Sequence, residues 1–512
     1  MNDIVSGITA TAGREPGRTA LIDGRGREIS YGELARRVAV VREVMSGGDA
    51  GGALRPGDGV MFAVRPGVDA VVLALGAVAA GGTLVLADPG LAPDVLAARM
   101  AATRPAWVVT ESLLHLLNGP LKGLARRRGL LLPNLREPLP GRPVRHLYTG
   151  PWLPGVPRGA LRFSRVLRDF AGRAGQGGAA DQAAADRMTD RAVADQAAAV
   201  IFTSGTTARP RGVVHTRGSL AAGLELFRSA FPLGPGDVVH TDQLMLGLPA
   251  LMAGATWSLP GGGDQAAELA ERRATHTFAV PVRLDRLLRE TPRLPRTLRY
   301  LLLGAAPAPP GVLRRAVEAG PEVLSVYAMT EALPIAVASA REKLAHDGGD
   351  LLGAPLPGVG VRIADDGELF VSGPHLARGY LGEEPLQEVA TGDLVRLDEG
   401  RLVLLGRKKD MILRDGFNIY PGLYEPGVAA LPGVAEAAIV GLADPETGDE
   451  EVVLAVVPAD GYDESLLRKA LPGIVDAAAL PDRIETLDAF PRSGRADKLD
   501  RAALRALVAR RA

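Results

Sequence analysis

Apolar runs of three to five residues alternate with longer helical patterns through the first 400 positions, and residues 60–64, 83–86, 107–109, 200–202, 299–303 and 323–326 each read as a short strand. Strands separated by helices bury both faces of a sheet, so the pattern predicts parallel sheets covered by helices. The longest uncharged run, 70–87, is divided by Gly81-Gly82 into an Ala/Val/Leu helix and a Thr-Leu-Val-Leu strand before Asp88-Pro89. It reads as a helix–strand unit of a buried sheet rather than a membrane span. Residues 171–196 are rich in Ala, Gly, Gln and Asp with almost no large apolar side chains, the composition of a flexible linker or insert, or of a weak surface helix. Gly367-Glu-Leu-Phe-Val-Ser and Arg401-Leu-Val-Leu-Leu-Gly then stand between turn residues as short strands of a small β-rich subdomain. From residue 408 a fresh series begins, with strands at 437–441, 452–457 and 484–487 and a helix at 465–471. The expected fold is α/β: a large N-terminal domain over 1–407, built of two parallel-sheet α/β subdomains plus a small β-rich subdomain, followed by a small α+β C-terminal domain over 408–512. No internal repeat is visible.

Composition narrows the classes of function. At 512 residues and 47% apolar content the chain buries a substantial core, which excludes disorder as a whole. Lys+Arg and Asp+Glu both number 59, so no net field draws nucleic acid or an anionic membrane, and Arg126-Arg127-Arg128 reads as a solvated face. The absence of cysteine excludes disulfides, thiolate metal sites and cysteine nucleophiles, and fits a reducing compartment. The stretch Met1-Asn-Asp-Ile-Val-Ser-Gly has no basic region followed by an apolar core, so no secretory signal is expected. The expectation is a cytoplasmic protein with no nucleic-acid partner and no transmembrane segment.

Candidate chemistry begins where the strand at 200–202 ends. Thr203, Ser204, Gly205, Thr206 and Thr207 form a hydroxyl-rich, flexible loop in which backbone N–H groups and hydroxyls can converge on an anion. Arg211 adds a fixed charge whose donor fork matches phosphate oxygens. The spacing is not that of a Walker A loop. Taken alone, such a loop is equally a Thr/Gly surface turn. Further on, Tyr327-Ala-Met-Thr330-Glu331 follows another apolar strand and supplies a ring to stack a base, a hydroxyl for a phosphate oxygen and a carboxylate for Mg²⁺. Gly304-Ala305-Ala306-Pro307 also follows a strand, and Thr391-Gly392-Asp393 offers a carboxylate on a tight turn. Each of these is common in proteins without function when it stands alone.

In order along the chain, from Ser30-Tyr-Gly-Glu-Leu34 through Ala87-Asp-Pro89 to Lys498, these segments resemble the adenylate-forming (AMP-binding) superfamily, which includes acyl-CoA synthetases, peptide-synthetase adenylation domains and firefly luciferase. The loop resembles Tyr-Thr-Ser-Gly-Thr-Thr-Gly-x-Pro-Lys-Gly-Val, with Ala208 for a glycine and Arg211 for the lysine. Only six of the 59 basic residues are lysines, so an arginine there follows the composition. Residues 327–331 resemble Tyr-Gly-x-Thr-Glu with Ala328 for glycine, and 304–307 resemble Gly-Gly-Ala-Pro with Ala305 departing. Gly406-Arg407-Lys408-Lys409-Asp410-Met-Ile and Gly416-Phe-Asn-Ile-Tyr-Pro421 are similar to the family's hinge. Residues 490–504 resemble Pro-Arg-Thr-x-x-Gly-Lys-x-x-Arg, with Asp497 where glycine is usual and one extra residue after Pro491.

The resemblance implies a role for each matching position. Thr203, Ser204, Gly205, Thr206, Thr207 and Arg211 would hold the phosphates of ATP; Gly304, Ala305, Ala306 and Tyr327 would border the adenine; Asp393 and Arg407 would hold the ribose. Thr330 would reach the α-phosphate, Glu331 would bind Mg²⁺, and Lys498 would neutralise charge in the adenylation transition state. Lys409 would be the pivot of a mobile C-terminal lid. The implied reaction joins a carboxylic acid to AMP with release of pyrophosphate. A lid rotation then withdraws Lys498 and brings the 414–417 loop to a tunnel for a thiol, CoA above all. Relatives that activate α-amino acids place an aspartate where this chain has Thr241 beside Asp242, and 243–250 and Val280-Pro-Val282 are apolar, which points to a fatty or aryl acid. Three other readings stay open. One is a β-lactone synthetase acting on a β-hydroxy acid without CoA, suggested by Thr-Glu-Ala-Leu-Pro-Ile at 330–335. Another is an adenylation enzyme serving a carrier protein in trans. The last is a non-catalytic nucleotide-binding relative, suggested by Ala208, Arg211, Ala328 and Asp497.

Overall fold

The strand-forming runs and the helices between them assemble into two units, one of Met1–Arg272 with Thr330–Leu333 and Pro374–Gln387, the other of Arg273–Met329, Pro334–Gly373 and Glu388–Ala512. The structure, a computed structural model, describes residues 3–47, 53–86, 93–127, 134–171, 190–202, 211–304, 307–414, 417–443, 450–493 and 497–511. Of the expected linker at 171–196, residues 172–189 lie outside the described residues; its end forms the short helix Asp190–Ala194.

In the first unit, strands Ala197–Phe202, Thr83–Leu86, Gly59–Ala63, Pro105–Glu111, Arg145–Thr149 and Leu161–Arg162 lie side by side in that order, all parallel. Gly212–Thr216 and then Gly379–Tyr380 extend the sheet antiparallel beyond Ala197–Phe202. The uncharged run at 70–87 is split as its glycines demand: helix Val68–Ala79 ends, Gly81 turns the chain at φ 89°, and Thr83–Leu86 enters the sheet. Among the described residues no helix is long and apolar enough to cross a membrane. A second parallel set, Val238–His240, Thr256–Ser258 and Thr19–Ile22, carries Glu28–Ser30 as an antiparallel edge.

Two contacts show how closely this unit's core is packed. Tyr31 is fully buried at the start of helix Tyr31–Ser46, and its hydroxyl donates to the carbonyls of Leu251 and Ala255 at 3.0 and 2.7 Å. Helix Leu244–Met252 lies on the buried ring of Trp257, and a Cβ added at Gly247 would stand 2.0 Å from that ring. Gly247→Ala is therefore expected to destabilise the protein by about 1–3 kcal/mol, the usual range for overpacking a core. A shifted urea midpoint at unchanged slope would register it.

In the second unit, His276–Ala279, Tyr300–Leu303 and Glu322–Met329 run parallel. A β-rich portion follows, in which Ala332–Ser339, Asp350–Pro355, Arg401–Arg407, Val389–Asp398, Glu368–Ser372 and Gly360–Ile363 pair antiparallel in turn. Beyond residue 411 come the hairpin Ile412–Arg414/Phe417–Ile419 and a three-stranded sheet of Val434–Ala443, Glu450–Pro458 and Arg483–Thr486. Side chains alternate across the strand Glu450–Pro458. Val452, Leu454 and Val456 pack with Val428 and Leu467 on one face, while Val453 and Ala455 pack with Leu504 and Val508 on the other. The α/β fold class and the β-rich portion match the sequence reading; element ends differ by a few residues, because pairing with a neighbour extends a strand past its apolar run.

Candidate active site

Residues 389–407 form a hairpin that turns at Glu399 and Gly400, both at positive φ, and its register sets Asp393 directly opposite Arg407. The two make a cross-strand ion pair, Arg407 Nε to Asp393 Oδ1 at 2.5 Å. Tyr327, near the end of strand Glu322–Met329, donates its hydroxyl to Asp393 Oδ2 at 2.6 Å. Asp393 does not sit on the tight turn that Thr391-Gly392-Asp393 suggests. It lies inside the ten-residue strand Val389–Asp398, at an irregularity where Gly392 takes φ 70°. Two bonds hold that bulge: the Asp393 N–H donates to Thr391 Oγ1 at 3.0 Å and the Gly392 N–H to Glu368 Oε1 at 3.2 Å. Burial raises the Asp393 carboxyl above its ordinary value, against the lowering effect of Arg407 and Tyr327. Burial and the Asp393 carboxylate together hold the Tyr327 phenol far above the tyrosine range, so it stays a donor.

Lys498 joins this cluster from the strand Lys498–Leu499, which pairs antiparallel with Arg492–Ser493. Part of its side chain is open to solvent, yet its ammonium is held below the usual lysine value, first by partial burial and then by repulsion from Arg407, with Asp393 opposing. Asp497 stands in the left-handed region at φ 49°. Aspartate is one of the few non-glycine residues that tolerates that region, which is how the hairpin survives without the glycine usual there. Arg492 Nη1 donates to the Asp497 carbonyl at 3.0 Å, and Arg492 Nε lies 4.0 Å from its carboxylate. Asp497→Gly is expected to preserve the hairpin and to raise stability by up to about 1 kcal/mol, measured as a higher thermal midpoint.

Lys409 is exposed on the short 3₁₀ turn Lys408–Asp410. Its neighbour Lys408 pairs with Asp366 at 2.6 Å and with Glu368 at 2.7 Å, so one carboxylate both braces the Gly392 bulge and anchors the turn. Gly304 is buried directly after strand Tyr300–Leu303, where an added Cβ would press on Phe278 at 3.1 Å.

A second group of candidates lies in the first unit. Arg211 precedes strand Gly212–Thr216, whose pairing sets Val213 opposite Tyr380. The Arg211 guanidinium rests over the Tyr380 ring, 3.5 Å from its centroid, and pairs with Glu383 at 3.2 Å. The Tyr380 hydroxyl donates to Glu331 Oε1 at 2.9 Å. Backbone anchors hold the Thr330–Leu333 segment: His215 Nε2–H donates to the Thr330 carbonyl at 2.8 Å, and the Ala377 N–H to the Glu331 carbonyl at 2.8 Å. Burial holds the His215 imidazole below its ordinary value, in keeping with a neutral ring that donates through one nitrogen. Glu331 is buried, with Tyr380 on one of its two oxygens. Among the described residues no three His, Asp, Glu or Cys side chains gather to cage a metal. One carboxylate of this kind fits Mg²⁺, which keeps most of its ligands as water and phosphate.

Thr203, Ser204, Gly205, Thr206, Thr207, Ala305 and Ala306 lie outside the described residues. Thr241 is buried, and its hydroxyl accepts the Gln243 N–H at 3.0 Å. A cavity of about 260 Å³ lined by Gly59, Thr83, Ala197 and Arg378 opens where three strands begin, at the opposite end of strand Ala197–Phe202 from Phe202. The sequence reading missed Tyr380, Glu383 and His215. Arg378-Gly-Tyr380 is a visible motif, but no local spacing ties it to Arg211 or Glu331.

The AMP-binding enzyme family model matches residues 8–381, and the model of the AMP-binding enzyme C-terminal domain matches 424–496. Feruloyl-CoA synthase of an Amycolatopsis species is 32% identical over 375 residues, covering 65% of this chain and 74% of the relative. Indoleacetate–CoA ligase of Aromatoleum aromaticum is 32% identical over 355 residues, covering 61% and 67%. Among solved structures, a variant of an amide bond synthetase from Marinactinospora thermotolerans superposes with a TM-score of 0.77 at 25% identity, covering 99% of this chain and 100% of that one.

Proposed function

Because the chain belongs to the AMP-binding enzyme family, as an AMP-forming acid–thiol ligase that consumes ATP, we propose that its acid is an aryl or arylalkanoic carboxylate and its thiol that of CoA. The reading is carried by one arrangement, the gathering of Lys498, Arg407 and Tyr327 around Asp393. Asp393 is a buried carboxylate oriented by Tyr327 through Oδ2, with Arg407 beside an Oδ1 that has no hydrogen bond of its own, and in this reading it accepts the two ribose hydroxyls. In this reading Lys498 and Thr330 are the side chains that meet the α-phosphate. As a carboxylate oxygen of the acid attacks α-phosphorus and the bond to pyrophosphate breaks, the Lys498 ammonium meets the charge that builds on the transferred phosphoryl oxygens. Magnesium, when bound at Glu331, would screen charge on the phosphates, while Arg211 and the 203–207 loop hold the leaving group. The apolar helix Leu244–Met252 supports an acid without an ammonium group, since Thr241 spends its hydroxyl on the backbone and offers no counter-charge.

We place the domain boundary at 407/408 and the pivot at Lys409, on the exposed turn between strand Arg401–Arg407 and the C-terminal sheet. The reading makes the protein cytoplasmic, and leaves room for a carrier-protein thiol in place of CoA. The likeness to an amide bond synthetase supports a second reading, in which an amine takes the acyl group from acyl-AMP.

The test is pyrophosphate release from ATP and Mg²⁺ over a panel of aryl, fatty, β-hydroxy and amino acids, each without an acceptor, with CoA, and with a simple amine. Turnover of aryl acids that requires CoA is the expected result. Turnover sustained by amine but not CoA would transfer the assignment to amide synthesis, and sustained turnover of β-hydroxy acids alone would transfer it to lactone closure.

A further inference from the structure

The replacement of the usual phosphate-loop lysine by Arg211 has a structural counterpart in Tyr380. A guanidinium is flat and stacks on a ring where an ammonium cannot, and Arg211 lies 3.5 Å from the Tyr380 centroid. The same tyrosine donates at 2.9 Å to Glu331 through the opposite end of its side chain. Its position is fixed by the backbone. Strand Gly379–Tyr380 pairs with Gly212–Thr216, the Leu381 N–H donates to the Gly212 carbonyl at 2.8 Å, and the Arg378 N–H donates to the Val214 carbonyl at 2.9 Å. Glu331 is held as firmly, through the Ala377 N–H and the isolated bridge between Ala332 and Leu376. One rigid ring therefore touches the cation expected at the β- and γ-phosphates and the carboxylate expected at the metal, although Arg211 and Glu331 are 120 positions apart in sequence.

We propose that Tyr380 is a positioning residue that couples Arg211 to Glu331, so that the two groups are set together for magnesium–ATP. The inference rests on the nucleotide reading given above. The hydroxyl fixes which oxygen of Glu331 remains for the metal, and the ring limits the rotamers of an otherwise long and mobile arginine. Glu383, paired with Arg211 at 3.2 Å, is the ion that phosphate displaces while the guanidinium stays on the ring.

Calorimetric titration of the full chain with ATP, in Mg²⁺ and separately in EDTA, tests this for the wild type, Tyr380→Phe and Tyr380→Leu. The wild type is expected to bind ATP more tightly with Mg²⁺. Tyr380→Phe, which keeps the ring and loses the hydroxyl, is expected to lose about tenfold in Mg²⁺-dependent affinity, the scale of one hydrogen bond to a charged group, with its metal-free affinity retained. Tyr380→Leu is expected to lose metal-free affinity as well, because Arg211 is no longer supported. A Tyr380→Phe protein with the full Mg²⁺ gain overturns the coupling while leaving the nucleotide reading intact, and so does an equal loss with and without metal. A wild type that binds no ATP under either condition overturns the nucleotide reading and, with it, this one.

Discussion

Lys498→Ala is expected to lower acid-dependent pyrophosphate release by about 10²–10³-fold, the loss seen when one preorganised donor is taken from a site where charge develops. The effect is confined to adenylation. ATP binding is expected to change little, because Asp393, Arg407 and Tyr327 remain bound to one another without the lysine. Transfer of a preformed acyl-adenylate to thiol is likewise expected to proceed at the wild-type rate. The electrostatics add a pH signature. Burial and Arg407 hold the Lys498 ammonium below its ordinary value, so the wild-type rate is expected to fall on the alkaline side earlier than an unperturbed lysine would allow, and Lys498→Ala to lack that limb. Equal loss in both half-reactions would assign Lys498 a structural role in the hairpin instead.

Asp393→Asn is expected to weaken ATP binding by about 10–100-fold, the range for replacing a charged acceptor of two hydroxyls by a neutral one, without lowering the melting temperature at pH 7. Burial raises the Asp393 carboxyl above the unfolded value of 3.8. Above that value the folded chain holds this proton more strongly than the unfolded chain, so the group's contribution to stability is complete below pH 3.8 and is lost as pH rises through the folded value. Once ionised, the buried carboxylate is thus a cost to folding that the nucleotide reading explains. Asparagine titrates nowhere in this range and relieves it. Melting temperatures of the two proteins from pH 4 to 8 check the sign: the variant should gain on the wild type as pH rises. A wild type that outlasts the variant at pH 7 would mean that the Arg407 pair outweighs burial.

Much of the architecture was legible because burial writes itself into local pattern. The helix Val68–Ala79 and the strand Thr83–Leu86 are separated by glycines that no continuous helix would keep, and Glu450–Pro458 is apolar on both sides because both sides carry a core. Asp393 was found as a residue and misplaced as a structure. Thr-Gly-Asp is turn chemistry, but the side chains that convert it to a strand bulge, Glu368 and its partner Lys408, lie 24 and 16 residues away from Gly392 in opposite directions. Asp497 ran the other way: it departs from the expected glycine in letter and keeps its conformation. The roles of Tyr380, Glu383 and His215 were not legible, because each acts through a partner far along the chain, and a pairing of strands decides which partner that is.

The C-terminal sheet has one consequence for motion. Its two apolar clusters are drawn entirely from residues 412–508, one on each face, while the turn that leads into it is fastened by the ion pairs of Lys408 with Asp366 and Glu368. If the chain turns at that point, as proposed, those pairs are exchanged for hydration, a cost that dissolved salt lowers.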